Sequence, residues 1–592
     1  MWFKSIYQQI VRYLRTKLSR VQYIMLIAIL TGFISGMLAV LLKSFVHFIQ
    51  IRIQEIAVNR FAYLLFPALG LVLVTFIIRH FFNMKIERGI AMVLKAIARR
   101  SSFIPLSHTY SHIVTSSITV GLGGSAGLEA PIVATGSAVG SNISRISDLN
   151  YQERTLLISC GAAAGIAAVF NAPVAGVIFA VEVLLTETVL SYFIPLILSS
   201  VVGVLCSKIT LGESSLFNFV LQESFDYRNV PFYLALGLIA GFTSLYYARV
   251  YKITEKKLQG SRMNHYWRAL SGGILLAIIY FVFPPLFGEG YDHVKTVASA
   301  TLDTFSDNTS LFGYFTDNWG LITFTGLIVL MKPVAAGITI GSGGNGGNFA
   351  PSLFTGSYLG FFFSSLVNHF PWIKIPVSNF SLVGMAGILS GVMYAPLTAI
   401  FLIAEITNGY ELFIPLMIVS SISFFIVKSY EPYSMDTKKL AMEGQIFTHK
   451  KERNILTSIS LSDLLHEPYE KIGINKHLTD LVDIIKKSEK NIFAVVDNQE
   501  RFAGVIELND IKQRLFSPEH FATTSIKSLV KKPPAILQYD QDMHSVMEQF
   551  DITQSWYLPV LDKEKKFISF ISKTKLFNKY REILRSQEDL YE

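Results

Sequence analysis

Residues 1–427 are dominated by long apolar runs, whereas the chain after Lys428 mixes polar and apolar positions at short intervals. Five runs contain no Asp, Glu, Lys or Arg: residues 24–42, 61–78, 155–181, 333–373 and 375–404. Each is near or beyond the roughly 18–20 residues that cross the hydrocarbon core of a bilayer as a helix. The pattern predicts an all-α membrane domain with several passes.

The two longest runs, 333–373 and 375–404, contain Gly and Pro clusters in mid-segment. Such clusters interrupt a helix, and irregular backbone at membrane depth is tolerated only where protein shields it or where it lines a cavity. We therefore expect broken or re-entrant helices, which makes transport the leading class of function.

The membrane part repeats internally. FNAPVAGVIFAVE (170–182) is similar to MYAPLTAIFLIAE (393–405) at an offset of 223, and GLEAP (127–131) is similar to GNFAP (347–351) at an offset of 220. We predict a membrane domain at 21–440 after an N-terminal segment 1–20, with homologous halves at about 21–210 and 230–430. If the halves are inverted, Glu129 and Phe349 approach one site from opposite sides.

The polar C-terminal region holds a second repeat. FAVVDNQERFAGVIELNDI (493–511) aligns with LPVLDKEKKFISFISKTKL (558–576) at an offset of 65. Both copies fit a strand-turn-strand-helix unit. We predict a cytoplasmic α/β pair, with a linker at 441–455, a first unit at 456–518 and a second at 519–592.

Composition agrees with a membrane protein: 51% of the 592 residues are hydrophobic, 16% are charged, and the mean hydropathy is +0.43. Four basic residues between positions 12 and 20 precede the first apolar run, which predicts a cytoplasmic N-terminus. We also expect a cytoplasmic C-terminus and a location in the plasma (cell inner) membrane. Lipid headgroups and cytoplasmic loops explain the net charge of +9, so no nucleic-acid partner is expected. Cys160 and Cys206 lie in apolar context and indicate neither a disulfide framework nor a metal site.

Glu129 is the only Asp, Glu, Lys or Arg between positions 101 and 144. GLEAP and GNFAP each place a Gly-rich turn before Ala-Pro and an apolar run, which predicts a helix N-terminus inside the protein. Such an end binds anions through free N–H groups and about half a positive charge. The Glu129 carboxylate would compete with an anion for these donors, and protonation would release it. The alternative is a structural carboxylate that satisfies a helix terminus.

These motifs resemble those of the CLC family of chloride channels and chloride/proton antiporters. GLEAP falls where the family has G-[KR]-E-G-P, GNFAP matches G-x-F-x-P, and GAAAGIAAVFNAPVAGVIFAVE (161–182) follows at the expected interval. The soluble pair resembles the CBS domains that many members carry. The resemblance implies an inverted-repeat fold, a homodimer with one pathway per subunit, and chloride or a similar small anion as the transported ion.

The resemblance also assigns site residues. Glu129 would be the external gating glutamate, with Leu128 and Ala130 in place of the family's flanking basic residue and glycine. The implied anion contacts are the backbone N–H groups of Leu128, Glu129 and Ala130 at an outer site, the backbone N–H groups of Asn348 and Phe349 at a central site, and the hydroxyl of Tyr433 at that central site.

Three positions depart from the family pattern. The serine of the family's G-S-G-I-P is absent from ERGIA (87–91), where Arg88 stands near its place. Val183 follows Glu182 where proton-coupled members often carry an internal glutamate, which favours passive, channel-like conduction over the alternative of chloride/proton antiport. In the soluble pair Asp510 is kept but Glu507 replaces a hydroxyl, so an adenosine nucleotide is only weakly implied there, beside the alternative of a domain that packs and stabilises a dimer.

Other classes remain open from the residues alone. A secondary transporter of an organic anion would use the same repeats and helix dipoles. A CBS-containing divalent cation transporter would need several hard oxygen ligands along its path, and the central runs offer chiefly Glu129, Glu182 and Glu405. We expect no enzymatic activity, since no zinc-protease or nucleotide-hydrolysis motif occurs.

Overall fold

The structure is a computed structural model that describes residues 16–56, 62–82, 89–99, 102–185, 192–212, 223–298, 318–442, 459, 461–465, 469–516, 518–541 and 543–588. The chain divides into two compact units, Met1–Ile446 and Phe447–Glu592. The first unit is helical throughout its described part, and the second mixes small sheets with helices.

Helices of the first half of the membrane unit are α1 Arg20–Ile56, α2 Phe66–Phe81, α3 Gly89–Arg99, α4 His108–Gly121, α5 Glu129–Ile146, α6 Tyr151–Phe170, α7 Pro173–Phe179 and α8 Phe193–Leu211. A π-helical turn, Ala180–Leu184, extends α7. Helices of the second half are α9 Val230–Gln259, α10 His265–Val282, α11 Tyr291–Ala298, α12 Asn318–Gly341, α13 Phe349–Asn368, α14 Val377–Met393, α15 Pro396–Ile406, α16 Phe413–Tyr430 and α17 Lys438–Met442.

Eight helices within the described part of the chain are long and apolar enough to cross a membrane. They contain residues 20–53, 62–81, 151–170, 193–211, 227–259, 265–282, 319–341 and 413–430. The prediction of several membrane passes is confirmed.

The two longest apolar runs are broken as the sequence predicts, and the run 155–181 is broken as well. The run 333–373 is divided between α12, which ends at Gly341, and α13, which begins at Phe349. In the run 155–181, Asn171 ends α6 with a left-handed backbone (φ 54°), and in the run 375–404 Tyr394 ends α14 in the same way (φ 59°). Each is followed by a helix that carries proline at its start, where the missing N–H costs nothing.

The two halves contact each other reciprocally. The N–H of Ser125 donates to Oγ1 of Thr339 at 3.0 Å, and the N–H of Asn345 donates to Oγ1 of Thr119 at 3.0 Å. Each residue of the second half lies 220 positions after its counterpart in the first. A contact and its mirror image at one constant offset are what a two-fold relation between repeats produces.

A second reciprocal set uses carboxylates as helix caps. Glu182, after α7, accepts hydrogen bonds from the N–H groups of Leu397 (3.1 Å) and Thr398 (2.8 Å) at the start of α15. Glu405, in α15, accepts from the first-turn N–H groups of α7, at 2.9 and 2.8 Å. Negative charge at a helix N-terminus stabilises the helix, so each half caps a broken helix of the other.

Small residues allow the helices on each side of the loops to pack closely. A Cβ added at Gly136 of α5 would collide with the carbonyl of Gly161 in α6, and one added at Gly356 of α13 would collide with the carbonyl of Gly384 in α14. Small residues at helix–helix contacts are the usual means of close packing in membranes, where the hydrophobic effect does not drive helices together. The same device therefore positions α5 and α13, the two helices that begin at the site.

The second unit contains two three-stranded sheets with the same topology. The strands are β1 Lys471–Gly473, β2 Ile492–Val496, β3 Phe502–Glu507, β4 Leu537–Gln538, β5 Tyr557–Leu561 and β6 Phe567–Ser572, and the helices are α18 Leu478–Ile485, α19 Leu508–Ile511, α20 Met543–Thr553 and α21 Lys573–Glu588. In each sheet a parallel pair is followed by an antiparallel pair. The irregularities at Val495/Val496 and Val560/Leu561 lie 65 positions apart, so the predicted repeat is present in the backbone as well as in the sequence.

Candidate functional site

The loops GLEAP and GNFAP lie against each other. The N–H of Gly127 donates to the carbonyl of Gly347 at 2.9 Å, and the N–H of Gly347 donates to the carbonyl of Gly127 at 2.8 Å. Only glycine fits at these two positions. A Cβ at Gly127 would lie 2.9 Å from Cβ of Ala350, and a Cβ at Gly347 would lie 2.6 Å from Cβ of Ala130.

Both loops end in a buried helix N-terminus. Helix α5 begins at Glu129 and helix α13 begins at Phe349, each 1% exposed. Neither the residue before α5, Leu128, nor the residue before α13, Asn348, caps its helix through a side chain. The first N–H groups of a helix have no partner within the helix, so two sets of donors and two helix dipoles converge on one buried region.

The Glu129 carboxylate crosses to the other half. Its Oε2 accepts a hydrogen bond from the N–H of Ala350, in the first turn of α13, at 3.3 Å. Its Oε1 accepts a hydrogen bond from the hydroxyl of Tyr291, the first residue of α11. A carboxylate thus occupies donors at the N-terminus of the opposite helix.

A buried lysine contacts the segment that precedes Tyr291. Lys332 of α12 is fully buried, and its Nζ donates to the carbonyls of Leu286 (3.5 Å), Gly288 (3.2 Å) and Glu289 (3.4 Å). The ammonium also lies 4.4 Å from the ring centroid of Phe354 in α13, within the range of a cation–π contact. Lys332 therefore holds residues 286–289 against α13. These residues lie just before α11, whose first residue is Tyr291.

Sequence reasoning missed Tyr291, Glu289 and Lys332. Lys332 directly precedes the run 333–373, and Glu289 lies between two glycines in FGEGY. A charged residue beside an apolar run and an acid between glycines were the available signals. Neither indicated that these residues lie near Glu129.

Aromatic rings and a tyrosine hydroxyl also lie at the start of α13. Phe349 lies between the rings of Phe170 and Phe179, with centroid distances of 5.6 and 6.4 Å. The hydroxyl of the buried Tyr247 donates to Oδ1 of Asn348 at 3.4 Å. Tyr433, which the family resemblance places here, lies after α16 and is 40% exposed.

The remaining sequence candidates lie elsewhere. Arg88 falls outside the described residues, and Gly89 begins α3 with φ of 70°. Val183 lies in the π-helical turn after α7, partly buried against the core, beside the Glu182 that caps α15. In the second unit Asp510 is paired with Lys531, whose Nζ lies 2.6 Å from Oδ1.

Comparison with known proteins agrees with this arrangement. The family model described as voltage gated chloride channel matches residues 70–428, more than half of the chain. The chloride channel protein CLC-f of Arabidopsis thaliana is 24% identical over 523 residues, which cover 78% of this chain and 64% of that protein. The putative chloride channel protein ClcB-like of Ralstonia nicotianae is 26% identical over 362 residues, 60% of this chain and 80% of that protein. The chain spans less than two thirds of the Arabidopsis relative.

Solved structures share the fold. A slow cyanobacterial Cl⁻/H⁺ antiporter superposes with a TM-score of 0.61 at 22% identity, covering 72% of this chain and 99% of that one. A eukaryotic CLC transporter superposes with a TM-score of 0.59 at 15% identity, covering 93% and 97%. The predicted fold class, an inverted repeat with broken helices followed by a small α/β region, is confirmed. The match over more than half of the chain and the shared fold show that this multi-pass integral membrane protein belongs to the CLC family.

Proposed function

We propose that the protein transports chloride or a similar small anion across the membrane, with the path at the junction of α5 and α13 and Glu129 as its gate. The observation that carries the proposal is the Glu129 carboxylate on the N–H of Ala350. It is an anion tethered at a helix N-terminus, where a free anion would gain from the same donors. Carboxylate and permeating ion therefore exclude each other.

Backbone N–H donors suit a transported anion, because the anion must also be released. We assign the outer anion contacts to the backbone N–H groups of Leu128, Glu129 and Ala130, and the central contacts to those of Asn348 and Phe349. Partial charges hold an anion less tightly than a full cation would, and conduction requires binding weak enough for release. The hydroxyl of Tyr433, a residue that is 40% exposed, is proposed as a further contact of the central anion, as the family resemblance implies.

We propose passive conduction as the mode of transport. Val183 cannot carry a proton inward, and the neighbouring Glu182 is occupied by the N–H groups of Leu397 and Thr398. Protons would then reach Glu129 and leave it on the outer side. The second candidate is proton-coupled antiport, which the fold shared with a Cl⁻/H⁺ antiporter and with a CLC-type fluoride/proton antiporter (TM-score 0.58, 22% identity) favours.

For the whole molecule we propose a homodimer in the plasma membrane with both termini cytoplasmic, as the family resemblance implies. The membrane domain at 21–440, the linker at 441–455 and the CBS-like units at 456–518 and 519–592 are supported by the division after Ile446 and by the 65-residue repeat. Nucleotide binding at this pair would have to displace Lys531 from Asp510.

Chloride efflux from liposomes that contain the purified chain tests the gate. Glu129→Gln removes the charge that competes with the anion, and a hydrogen bond to a charged group contributes roughly 1.5–3 kcal/mol. We expect efflux about tenfold or more faster at neutral pH, and independent of external pH. Glu411→Gln, at an exposed position of the same unit, is the control and should behave as wild type. Unchanged efflux in Glu129→Gln would refute the gate.

The same vesicles separate the two modes of transport. Passive conduction predicts a reversal potential that follows the chloride gradient alone. A reversal potential that shifts when a pH gradient is imposed identifies the antiporter.

A further inference from the structure

A second carboxylate lies at the gate without an assigned role. Glu289 lies between α10 and α11, flanked by Gly288 and Gly290, whose φ angles of 63° and 86° form a tight turn. The residue is only 8% exposed, and its Oε1 has no hydrogen-bond partner within the described part of the chain. A buried carboxylate oxygen without a partner costs free energy, which is more often accepted at functional sites than elsewhere.

The backbone holds this carboxylate in place. The three carbonyl acceptors of Lys332 all belong to residues 286–289. The N–H of Gly288 donates to the carbonyl of Gly123, at 3.3 Å, in the turn that leads to the gate loop. The turn at Glu289 is thus tied to both halves of the membrane unit, and it lies two residues before Tyr291, whose hydroxyl donates to Glu129.

Charged and polar groups from four elements interact with Glu289. They are Glu129 and the N–H of Leu128 from α5 and its loop, Tyr291 from α11, Lys43 from α1 and Lys332 from α12, with Lys295 beside Lys43 and His293 beside Lys332. The N–H of Leu128 is one of the donors proposed for the outer anion. Glu289 therefore shares the outer site with Glu129.

Two carboxylates in one buried site do not both ionise freely. Like charges at short range favour a state in which one group keeps a proton, and the two groups then titrate as a pair. Lys43 and Lys332 stabilise the ionised form of Glu289, while the N–H of Ala350 stabilises that of Glu129. The proton can therefore lie on either carboxylate.

We propose that Glu289 is a second proton-exchanging carboxylate of the outer gate, which passes its proton to Glu129 and so sets the external pH at which the gate opens. In this step the O–H bond of Glu289 breaks and an O–H bond forms on Glu129. Glu129, now neutral, leaves its donors to the anion. Glu289 remains as a carboxylate facing Lys43 and Lys332 and regains a proton from the outer solution. The proposal rests on the gate function of Glu129.

The test is the dependence of chloride efflux on external pH, measured on the purified full chain in liposomes. In Glu289→Gln the like charge is gone, so Glu129 holds its proton less tightly. We expect the midpoint of the pH profile to shift by about one pH unit in the acid direction, the size of shift typical of interacting carboxylates. Asp292→Asn, which removes the same charge from an exposed position three residues further on, should keep the wild-type midpoint.

Lys43→Gln gives a second test of the same sign. Without this positive charge Glu289 holds its proton more tightly and is neutral over more of the pH range, so it passes the proton to Glu129 less readily and the midpoint should move in the acid direction. In a Glu289→Gln background the same substitution should have no effect. Because Lys43 is partly exposed on α1, we expect Lys43→Gln to fold. This variant therefore tests the proposal even if Glu289→Gln is not recovered as folded protein.

The outcomes distinguish this proposal from the gate itself. If Glu129→Gln leaves efflux unchanged, the gate assignment fails. If Glu129→Gln removes the pH dependence while Glu289→Gln keeps the wild-type midpoint, Glu289 has no part in proton exchange. An unchanged midpoint in Lys43→Gln overturns the proposal in the same way.

Discussion

The loops at 127–131 and 347–351 share their backbone arrangement but differ in the chemistry of one side chain. Each contains a glycine of the reciprocal bridge, each leads into a buried helix without a side-chain cap, and each continues with Ala-Pro. They differ at the first helical residue. Glu129 bonds to Ala350 and Tyr291, whereas Phe349 packs against Phe170 and Phe179. The repeat supplies two sets of backbone N–H donors. Only the first loop also contributes a titratable side chain, Glu129, that competes with an anion for such donors.

Their surroundings differ in the same sense. The first loop has the buried carboxylate of Glu289 near the N–H of Leu128. The start of the second helix has Tyr247 and the rings of Phe170 and Phe179. Under the proposed function the first loop supplies the acid that responds to pH and the second supplies backbone donors without an acid of its own, so exchanging the two side chains should exchange these properties.

The strongest test places an acid in the second loop. Phe349→Glu would tether a carboxylate where the central anion is proposed to bind, and its charge-assisted hydrogen bonds to backbone N–H groups are each worth roughly 1.5–3 kcal/mol. We expect chloride efflux at neutral pH to fall about tenfold or more relative to Phe349→Gln, and to recover on acidification.

Phe349→Gln is the matched control because it loses the same aromatic packing without gaining a charge. Equal efflux in the two variants at all pH values would mean that the second loop does not hold an anion.

The bridge between the loops gives a smaller effect. An added Cβ at Gly127 would meet the Glu129 carboxylate and Ala350, and one at Gly347 would meet Ala130. Overpacking of this kind costs about 1–3 kcal/mol. Gly127→Ala and Gly347→Ala should therefore both lower the midpoint of thermal unfolding in detergent, and Gly127→Ala should also alter efflux because it displaces the gate. Gly409→Ala is the control, because its added Cβ would make only an ordinary contact, at 3.9 Å, with the carbonyl oxygen of Thr407. Full stability of both loop variants would contradict the close contact of the loops.

The smallest effect is expected at Tyr291. Its hydroxyl donates a hydrogen bond to the Glu129 carboxylate. Tyr291→Phe should therefore destabilise the closed position of this carboxylate by about 1 kcal/mol. That corresponds to roughly fivefold faster efflux at neutral pH. Tyr358→Phe removes a buried hydroxyl that has no hydrogen-bond partner in the described ranges and should leave efflux unchanged. Wild-type efflux in Tyr291→Phe would show that this hydrogen bond does not restrain the gate.

Much of the fold could be predicted because local rules decide it. Charge-free runs of membrane length, glycine and proline at their breaks, and offsets of 220, 223 and 65 residues predicted the helices, the halves and the soluble repeat. Glu129 was found for the same local reason, since a lone acid in an apolar segment is functional by default. Tyr291 and Glu289 were not found, because an acid between glycines and a tyrosine beside them do not indicate which distant segment they contact.

The sequence by itself determined where helices stop, which segments repeat, and that an acid begins one of two matching helices. Only the tertiary structure decided what that acid touches. Glu129 accepts its hydrogen bond from Ala350, 221 residues away, and Tyr291, its other donor, is 162 residues away. Such contacts depend on how the two halves pack against each other. Helix periodicity and local propensity carry no information about contacts between residues so far apart in sequence.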